Sequence, residues 1–174
     1  MRTALQPISG FRPPHGVTLR ILGRVDIPLL TAHLTGLDDR SRHDRFNGSI
    51  RLDEIAGYAQ RCIQPGVMVI AAEQDGEVIG VAELHPSDAD IAEAAFSVSD
   101  HWRGRGVGAA LFALILEAAW SRGLAFLDVS THADNDAMKR LARKFGAVLA
   151  FDHGESTGRI DLKALDFAAS GKVA

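Results

Sequence analysis

The sequence predicts a mixed α/β domain, and two observations lead to that fold class. First, Asp75-Gly76 joins two short apolar runs, which is a strong signal for a two-residue hairpin between antiparallel strands. Second, a glycine-rich turn at residues 103–108 separates a strand-like segment from a longer apolar segment with helical spacing. The chain has 174 residues, 47% of them hydrophobic, so we predict one domain over residues 17–163. An irregular arm at 1–16 and a loose tail at 164–174 would flank it.

The N-terminal part is predicted to hold one strand and two helices. Residues 17–22 mostly alternate apolar and polar side chains, as a half-buried strand does. Asp26 stands at an N-cap position with Pro28 in the first turn, which predicts that a helix follows. Apolar residues recur with helical spacing over 52–63, and Pro65-Gly66 then ends this second helix.

The rest of the chain contributes three strands, a helix, a strand, a second helix and two closing strands. The predicted bounds are 67–72, 78–82 and 91–98 for the strands, 107–122 for the helix, 124–130 for the next strand, Asp134 or Asn135 to Phe145 for the second helix, and 147–151 and 158–162 for the closing strands. The order β-α-α-β-β-β-α-β-α-β-β gives a mixed sheet with about four flanking helices, rather than a doubly wound parallel sheet.

The glycine-rich turn is the best candidate for a binding site. The first N–H groups of a helix have no intrahelical partner, and glycines let an anion approach the backbone closely. We therefore interpret the run Arg103, Gly104, Arg105, Gly106, Val107 and Gly108 as a pyrophosphate cradle. A plain turn is the simplest alternative. A dinucleotide fingerprint is another, but Gly104 does not directly follow a strand and Asp128 lies inside one.

Two ordered motifs resemble the GNAT superfamily of N-acetyltransferases. Arg103-x-x-Gly106-x-Gly108, after a strand that ends at Val98, is similar to that family's acetyl-coenzyme-A motif. Residues 132–147 resemble a second segment of that family, which contains an asparagine, here Asn135, and ends in "KxGF/A". The similarity covers about residues 17–163.

This resemblance implies a mostly antiparallel sheet whose middle strands splay apart around acetyl-CoA. Val98 would supply main-chain hydrogen bonds to the pantetheine arm, with a nearby N–H polarising the thioester carbonyl. Asn135 would reach the arm from the other side, although a helix N-cap is an alternative role for it. The reaction implied is direct acetyl transfer from acetyl-CoA, used as a co-substrate, to a primary amine.

The proton chemistry departs from the common family pattern. Many GNAT enzymes have a tyrosine that protonates the leaving thiolate at the position of Ala142 here, so solvent or another group must do so. Glu93 alternates with apolar neighbours on its strand and is predicted to be the base that deprotonates the amine. It could instead be a paired structural carboxylate, and Glu83 is then the next candidate.

The acceptor is left open by the sequence. Residues 37–46 form a polar segment that resembles "LSxxSRxxRF" in GNAT domains related to bacterial protein-lysine acetyltransferases. Together with Glu93 in its sequence context, this favours a protein lysine. A small-molecule amine is an alternative, and so is a degenerate domain that only binds CoA as a sensor. Physically, residues 37–46 are a charged surface helix, whose face could simply be solvated.

Composition limits the other partners. A net charge of -3 argues against nucleic acid as the main partner. The apolar run 109–120 is too short to span a bilayer, and it contains Glu117. The single Cys62 suits a reducing cytoplasm, where we expect the protein, and scattered histidines predict no metal site. Related domains often form dimers, so the resemblance allows a homodimer.

Overall fold

The computed structural model describes residues 10–46, 48 and 50–165. Most of the predicted N-terminal arm at 1–16 and of the predicted tail at 164–174 therefore lies outside the described residues. Within the described part, no helix has the length and apolar character needed to cross a membrane.

A mixed sheet forms the centre of the molecule. In the described part it has seven strands in the order β1-β2-β3-β4-β5-β7-β6, and only β4 and β5 run parallel. This confirms the predicted mixed, mostly antiparallel sheet. The strands are β1 Thr18–Ile21, β2 Met68–Gln74, β3 Glu77–Pro86, β4 Ile91–Val98, β5 Phe126–His132, β6 Val148–Asp152 and β7 Glu155–Asp161.

Five α-helices flank the sheet in the described residues, where the sequence predicted about four. They are α1 Ile27–Gly36, α2 Asp39–Phe46, α3 Leu52–Cys62, α4 Val107–Ser121 and α5 Asp136–Lys144. The additional helix is α2, which lies in the strongly charged segment. Its polar sequence has little apolar periodicity, so pattern alone does not count it among the packed helices.

The predicted hairpin joins β2 to β3. Asp75 and Gly76 have φ angles of 53° and 87°, which is the left-handed backbone of a tight hairpin turn. The hairpin sets the register of β2 against β3, and β3 in turn pairs along its length with β4. The registers of β2, β3 and β4 are therefore set by residues that precede the glycine-rich turn in the sequence.

The pairing of β4 with β5 is short. Their register holds only at Ile91–Phe126, Ala92–Leu127 and Glu93–Asp128, while β5 pairs with β7 as far as His132. Beyond Glu93 the two strands separate, which confirms the predicted splayed middle strands. The backbone edges that face this gap have no neighbouring strand to satisfy them, so the gap can accept a ligand with peptide-like polar groups.

The two faces of the sheet have separate cores. Helix α4 packs on one face, where Phe112 stacks between Phe96 and Phe145 with ring centroids 4.7 and 4.6 Å apart. The close approach of α4 requires Gly80 on β3, because a Cβ there would meet Val107 Cγ1 at 3.0 Å. Helices α1 and α3 pack on the other face through leucine, isoleucine and alanine side chains, and this face also buries Glu83 and His33.

Candidate active site

A cavity of about 440 Å³ occupies the gap between the splayed strands. Its walls come from the diverging part of β4, the end of β5, the glycine-rich turn, the first turns of α5 and one face of α2. The fold thus brings together segments that are far apart in the sequence. Ser130 on β5 also lines this cavity.

The glycine-rich turn forms one end of the cavity. Gly104 and Gly106 have φ angles of 71° and 91°, which side chains rarely adopt, and α4 begins at the next residue, Val107. No atom lies within 4 Å of a Cβ built at either glycine, so the space over the backbone is open. Together with the helix N-terminus, this geometry fits a cradle for an anion.

The predicted cradle residues do not all face the cavity. Arg103, Gly104, Gly106 and Gly108 line it. The Arg105 side chain instead lies over the Trp102 ring, 5.1 Å from its centroid, and Val107 is fully buried in the α4 core. The arginine at 103 also donates a hydrogen bond to the hydroxyl of Ser41 on α2.

Val98 and Asn135 lie on opposite sides of the cavity, as the resemblance implied. Val98 ends β4, and Asn135 precedes α5. Asn135 Oδ1 accepts a hydrogen bond of 3.0 Å from the N–H of Met138, so the N-cap role is confirmed. That bond uses the side-chain oxygen and leaves the amide NH₂ group for other partners.

One face of α2 forms the remaining wall. Ser41, Asp44 and Arg45 line the cavity, and their i, i+3, i+4 spacing places them on the same side of the helix. The helix is therefore not the simple solvated face that its composition suggests. The sequence signal was present in this spacing, but it was hidden by charged residues on the other sides of α2.

The two candidate glutamates differ in exposure. Glu93 is exposed at the last position where β4 pairs with β5. It directly precedes the cavity-lining Ala94 and stands opposite His85 on β3. Glu83 is fully buried, with Oε1 2.6 Å from Arg45 Nη2. The exposed carboxylate can meet an acceptor from solvent, and the buried one cannot.

Glu83 is the centre of a buried polar cluster. Its Oε2 accepts hydrogen bonds from Tyr58 Oη at 2.7 Å, His85 Nε2 at 2.8 Å and the Cys62 thiol at 3.3 Å. Burial alone would raise the pKa of Glu83, but Arg45 and these donors outweigh it and hold that pKa far below its usual range. Glu83 is therefore a permanent structural anion and a poor base.

The same cluster contains the only cysteine. Burial, followed by the charge of Glu83, raises the pKa of the Cys62 thiol to about 12, so the thiol stays protonated. Cys62, Glu83 and His85 place one ligand atom each within 4.8 Å of one another. The thiol and imidazole direct their protons at Glu83, and Arg45 already neutralises that carboxylate. These contacts stabilise the cluster without a metal ion.

A second buried pair was not predicted. His33 Nε2 lies 2.8 Å from Ser97 Oγ, and its Nδ1 lies 3.1 Å from the carbonyl oxygen of Val78. Burial lowers the pKa of His33 to about 4, so the ring is neutral at physiological pH. Donation from Nδ1 to the carbonyl leaves Nε2 to accept from Ser97, which itself lines the cavity.

A sequence model of the acetyltransferase (GNAT) family matches residues 37–147, well over half of the chain. The chain belongs to the GNAT family. The matched segment begins just before α2 and ends after α5, so it contains the glycine-rich turn, both splayed strands and Asn135.

Solved structures share the GNAT fold. The GNAT domain of S. lividans PAT superimposes with a TM-score of 0.75 at 22% identity, over 92% of this chain and 96% of that one. A ribosomal-protein-alanine N-acetyltransferase from Brucella melitensis gives 0.66 at 22% identity, over 82% and 98%. The acetyltransferase yncA from Salmonella typhimurium, solved with its cofactor acetyl-CoA, gives 0.64 at 16% identity, over 84% and 94%.

Family membership makes the chain an acetyl-CoA-dependent N-acetyltransferase, with acetyl-CoA as its co-substrate. The residues present fit that molecule. The open backbone at Gly104 and Gly106 and the cation of Arg103 suit a pyrophosphate, while Arg140 and Lys144 on α5 add further positive charge to the cavity wall.

The position that often carries a tyrosine in GNAT enzymes is closed to the cavity. Ala142 is 2% exposed and packs within the α4-side core. The α5 residues that line the cavity are Ala137, Met138, Arg140, Leu141 and Lys144, and none of them carries an O–H group. α5 therefore places no acidic O–H group at this point.

Proposed function

We propose that this GNAT enzyme transfers the acetyl group directly to a primary amine, and that the amine is the side chain of a lysine in another protein. The exposed position of Glu93 is the observation that carries the proposal. A lysine ammonium has a pKa of about 10.4 and must lose a proton before it can attack. A base at the surface, at the point where β4 and β5 begin to separate, can serve an amine that is presented on a second macromolecule.

Direct transfer is supported by the state of Cys62. An acetylated cysteine intermediate would require a thiolate that faces the co-substrate. This thiol is buried and hydrogen-bonded to Glu83, and it does not line the cavity. The state of this thiol thus favours attack by the amine itself. A buried, reduced thiol is also consistent with our expectation of a cytoplasmic protein.

Each part of the site has a separate task. The glycine-rich turn and Arg103 would hold the phosphates, and the unpaired edge of β4 up to Val98 would bind the pantetheine arm. Acetyl-CoA supplies an activated acetyl group when it is bound. Glu93 removes the proton from the amine, and solvent returns a proton to the thiolate because Ala142 cannot.

One solved structure with this fold, the ribosomal-protein-alanine N-acetyltransferase from Brucella melitensis, is named for a protein acceptor. The GNAT domain of S. lividans PAT covers nearly the whole of this chain in superposition. At 22% identity that likeness shows the fold only, so the acceptor must be established by assay.

The test is turnover by the wild type and by Glu93→Gln, measured as CoA release. Capped lysine peptides, peptides with a free N-terminus and spermidine would be offered as acceptors. Glu93→Gln keeps the shape and removes the basicity, so we expect near-normal CoA affinity and a turnover about 100-fold lower, with the largest loss near neutral pH. Glu77→Gln, at an exposed strand position away from the cavity, is the matched control.

Two results would contradict the proposal in different ways. Wild-type turnover and an unshifted pH profile in Glu93→Gln would make Glu93 a structural residue. Efficient acetylation of spermidine without acetylation of lysine peptides would leave Glu93 as the base but replace the protein acceptor with a small amine.

A further inference from the structure

The inward face of α2 carries three polar residues of the cavity wall. Ser41, Asp44 and Arg45 all line it, and they share one side of the helix. Ser41 accepts a hydrogen bond from Arg103 and donates one to Asp38. Arg45 pairs with Glu83 and donates to Tyr58. Two of the three are therefore already bonded to other protein groups.

These partners fix the position of α2. The Ser41 contact ties the helix to the glycine-rich turn, and the Arg45 contact ties it to β3. A third contact links His43 edge-on to His132 on β5, with ring centroids 5.2 Å apart. Because it is held from three directions, α2 presents Asp44 at a defined place in the cavity wall.

Asp44 is different from its neighbours because it has no partner. Among the described residues, no hydrogen bond or ion pair involves its half-buried carboxylate. Of the described residues that line the cavity it is also the only acidic one, and the other charged side chains there are Arg45, Arg103, Arg140 and Lys144. A carboxylate repels the phosphates of CoA, so it marks a part of the cavity that those phosphates do not use.

We propose that Asp44 binds the ammonium group of the acceptor and so selects cationic amines. This rests on the proposed function, because it requires an amine acceptor. A carboxylate and an ammonium form a charge-assisted hydrogen bond, and partial burial on a fixed helix strengthens it relative to a fully exposed pair. Asp44 binds and positions the amine, while Glu93 removes its proton.

The experiment compares Asp44→Asn, Asp44→Glu and Asp39→Asn. Initial rates would be measured with a capped lysine peptide and acetyl-CoA. In Asp44→Asn we expect KM for the peptide to rise about tenfold or more, with kcat within about threefold and KM for acetyl-CoA unchanged. Asp44→Glu should restore most of the affinity. Asp39→Asn removes the same charge from the outer face of α2, where that side chain is 98% exposed, and should leave every constant unchanged.

A binding measurement separates this inference from the proposed function. Calorimetry of the CoA-loaded protein with the same peptide reports amine binding without any turnover. Weaker binding to Asp44→Asn supports the inference even if the peptide is not a substrate. Equal KM and equal binding in wild type and Asp44→Asn would overturn it, as would a loss of CoA affinity in that variant. If the CoA-loaded wild type binds no peptide, the lysine acceptor is wrong, and the same comparison of wild type with Asp44→Asn using spermidine decides the inference.

Discussion

The two faces of the sheet are built on different principles. On the α4 face the core is apolar, and its centre is the stack of Phe96, Phe112 and Phe145. On the α1–α3 face the apolar core surrounds the buried ion pair of Glu83 and Arg45. A buried ion pair contributes little net stability, because desolvation of the charges offsets their attraction.

The difference indicates a division of labour. The α4 face stabilises the fold, while the polar cluster on the other face fixes the orientation of α2, whose inner side lines the cavity. If this is correct, truncation of a core side chain on the α4 face should lower the free energy of unfolding, and no paired substitution should restore it. On the polar face, loss of one charge should be harmful, and replacement of both charges should be tolerated.

The largest effect is expected on the apolar face. Phe112→Ala removes the middle ring of the stack and leaves a cavity at a position with 0% exposure. We expect the free energy of unfolding to fall by about 4 kcal/mol, measured by urea denaturation. Phe151→Ala, at a ring that is 60% exposed, is the control and should cost less than about 1 kcal/mol. A loss below about 1 kcal/mol in Phe112→Ala would remove the basis of the comparison.

The polar face is tested next by Glu83→Gln. This change leaves the guanidinium of Arg45 buried without its counter-charge, so we expect a loss of about 3 kcal/mol in the free energy of unfolding. The double variant Arg45→Met with Glu83→Leu removes both charges and should recover most of that loss. We expect the free energy of unfolding of the double variant to return towards the wild-type value. Its KM for the amine should be higher than that of the wild type, because α2 has lost its ion pair with β3. A double variant as unstable as Glu83→Gln would show that the pair stabilises the fold directly.

A smaller effect concerns pH and His33. In the folded protein burial lowers the pKa of His33 to about 4, against about 6.5 for an unfolded chain. Between these two values the unfolded state binds more protons, so stability must fall as the pH is lowered from 6.5 towards 4. The loss from this group between pH 6.5 and 5 should be about 2 kcal/mol.

Urea denaturation at several pH values measures that slope. His33→Gln removes the titrating ring and should flatten the curve between pH 6.5 and 5, while His153→Gln, at a side chain that is 92% exposed, should leave it unchanged. An unchanged slope in His33→Gln would assign the pH dependence to other groups.

Local signals in the sequence predicted the elements and much of the cavity. The turn at Asp75-Gly76, the glycines before α4 and the N-cap at Asn135 each follow from short-range backbone chemistry, and the structure contains all three. Arg105 shows the limit of such reasoning. It belongs to the same motif as Arg103, yet its side chain turns outward onto Trp102, and no local pattern distinguishes the two arginines.

Long-range polar contacts could not be predicted. Glu83 and Glu93 both alternate with apolar neighbours on strands, so the sequence offered them as equivalent candidates. They differ because β3 lies between β2 and β4 with α2 and α3 above Glu83, whereas Glu93 stands where β4 leaves β5. Apart from His85 on the same strand, the partners of Glu83 come from two helices, and their arrangement is a property of the tertiary fold.

Only three residue pairs join β4 to β5, so the sheet is nearly two sheets, β1–β4 and β5–β7. A co-substrate in the gap contacts both parts, and it binds the folded chain but not the unfolded one. At a free concentration 100 times its dissociation constant, it adds about 2.7 kcal/mol to the free energy of unfolding. Protection from cellular proteases should therefore rise and fall with the supply of acetyl-CoA, so that the enzyme lasts longest when it has acetyl groups to transfer.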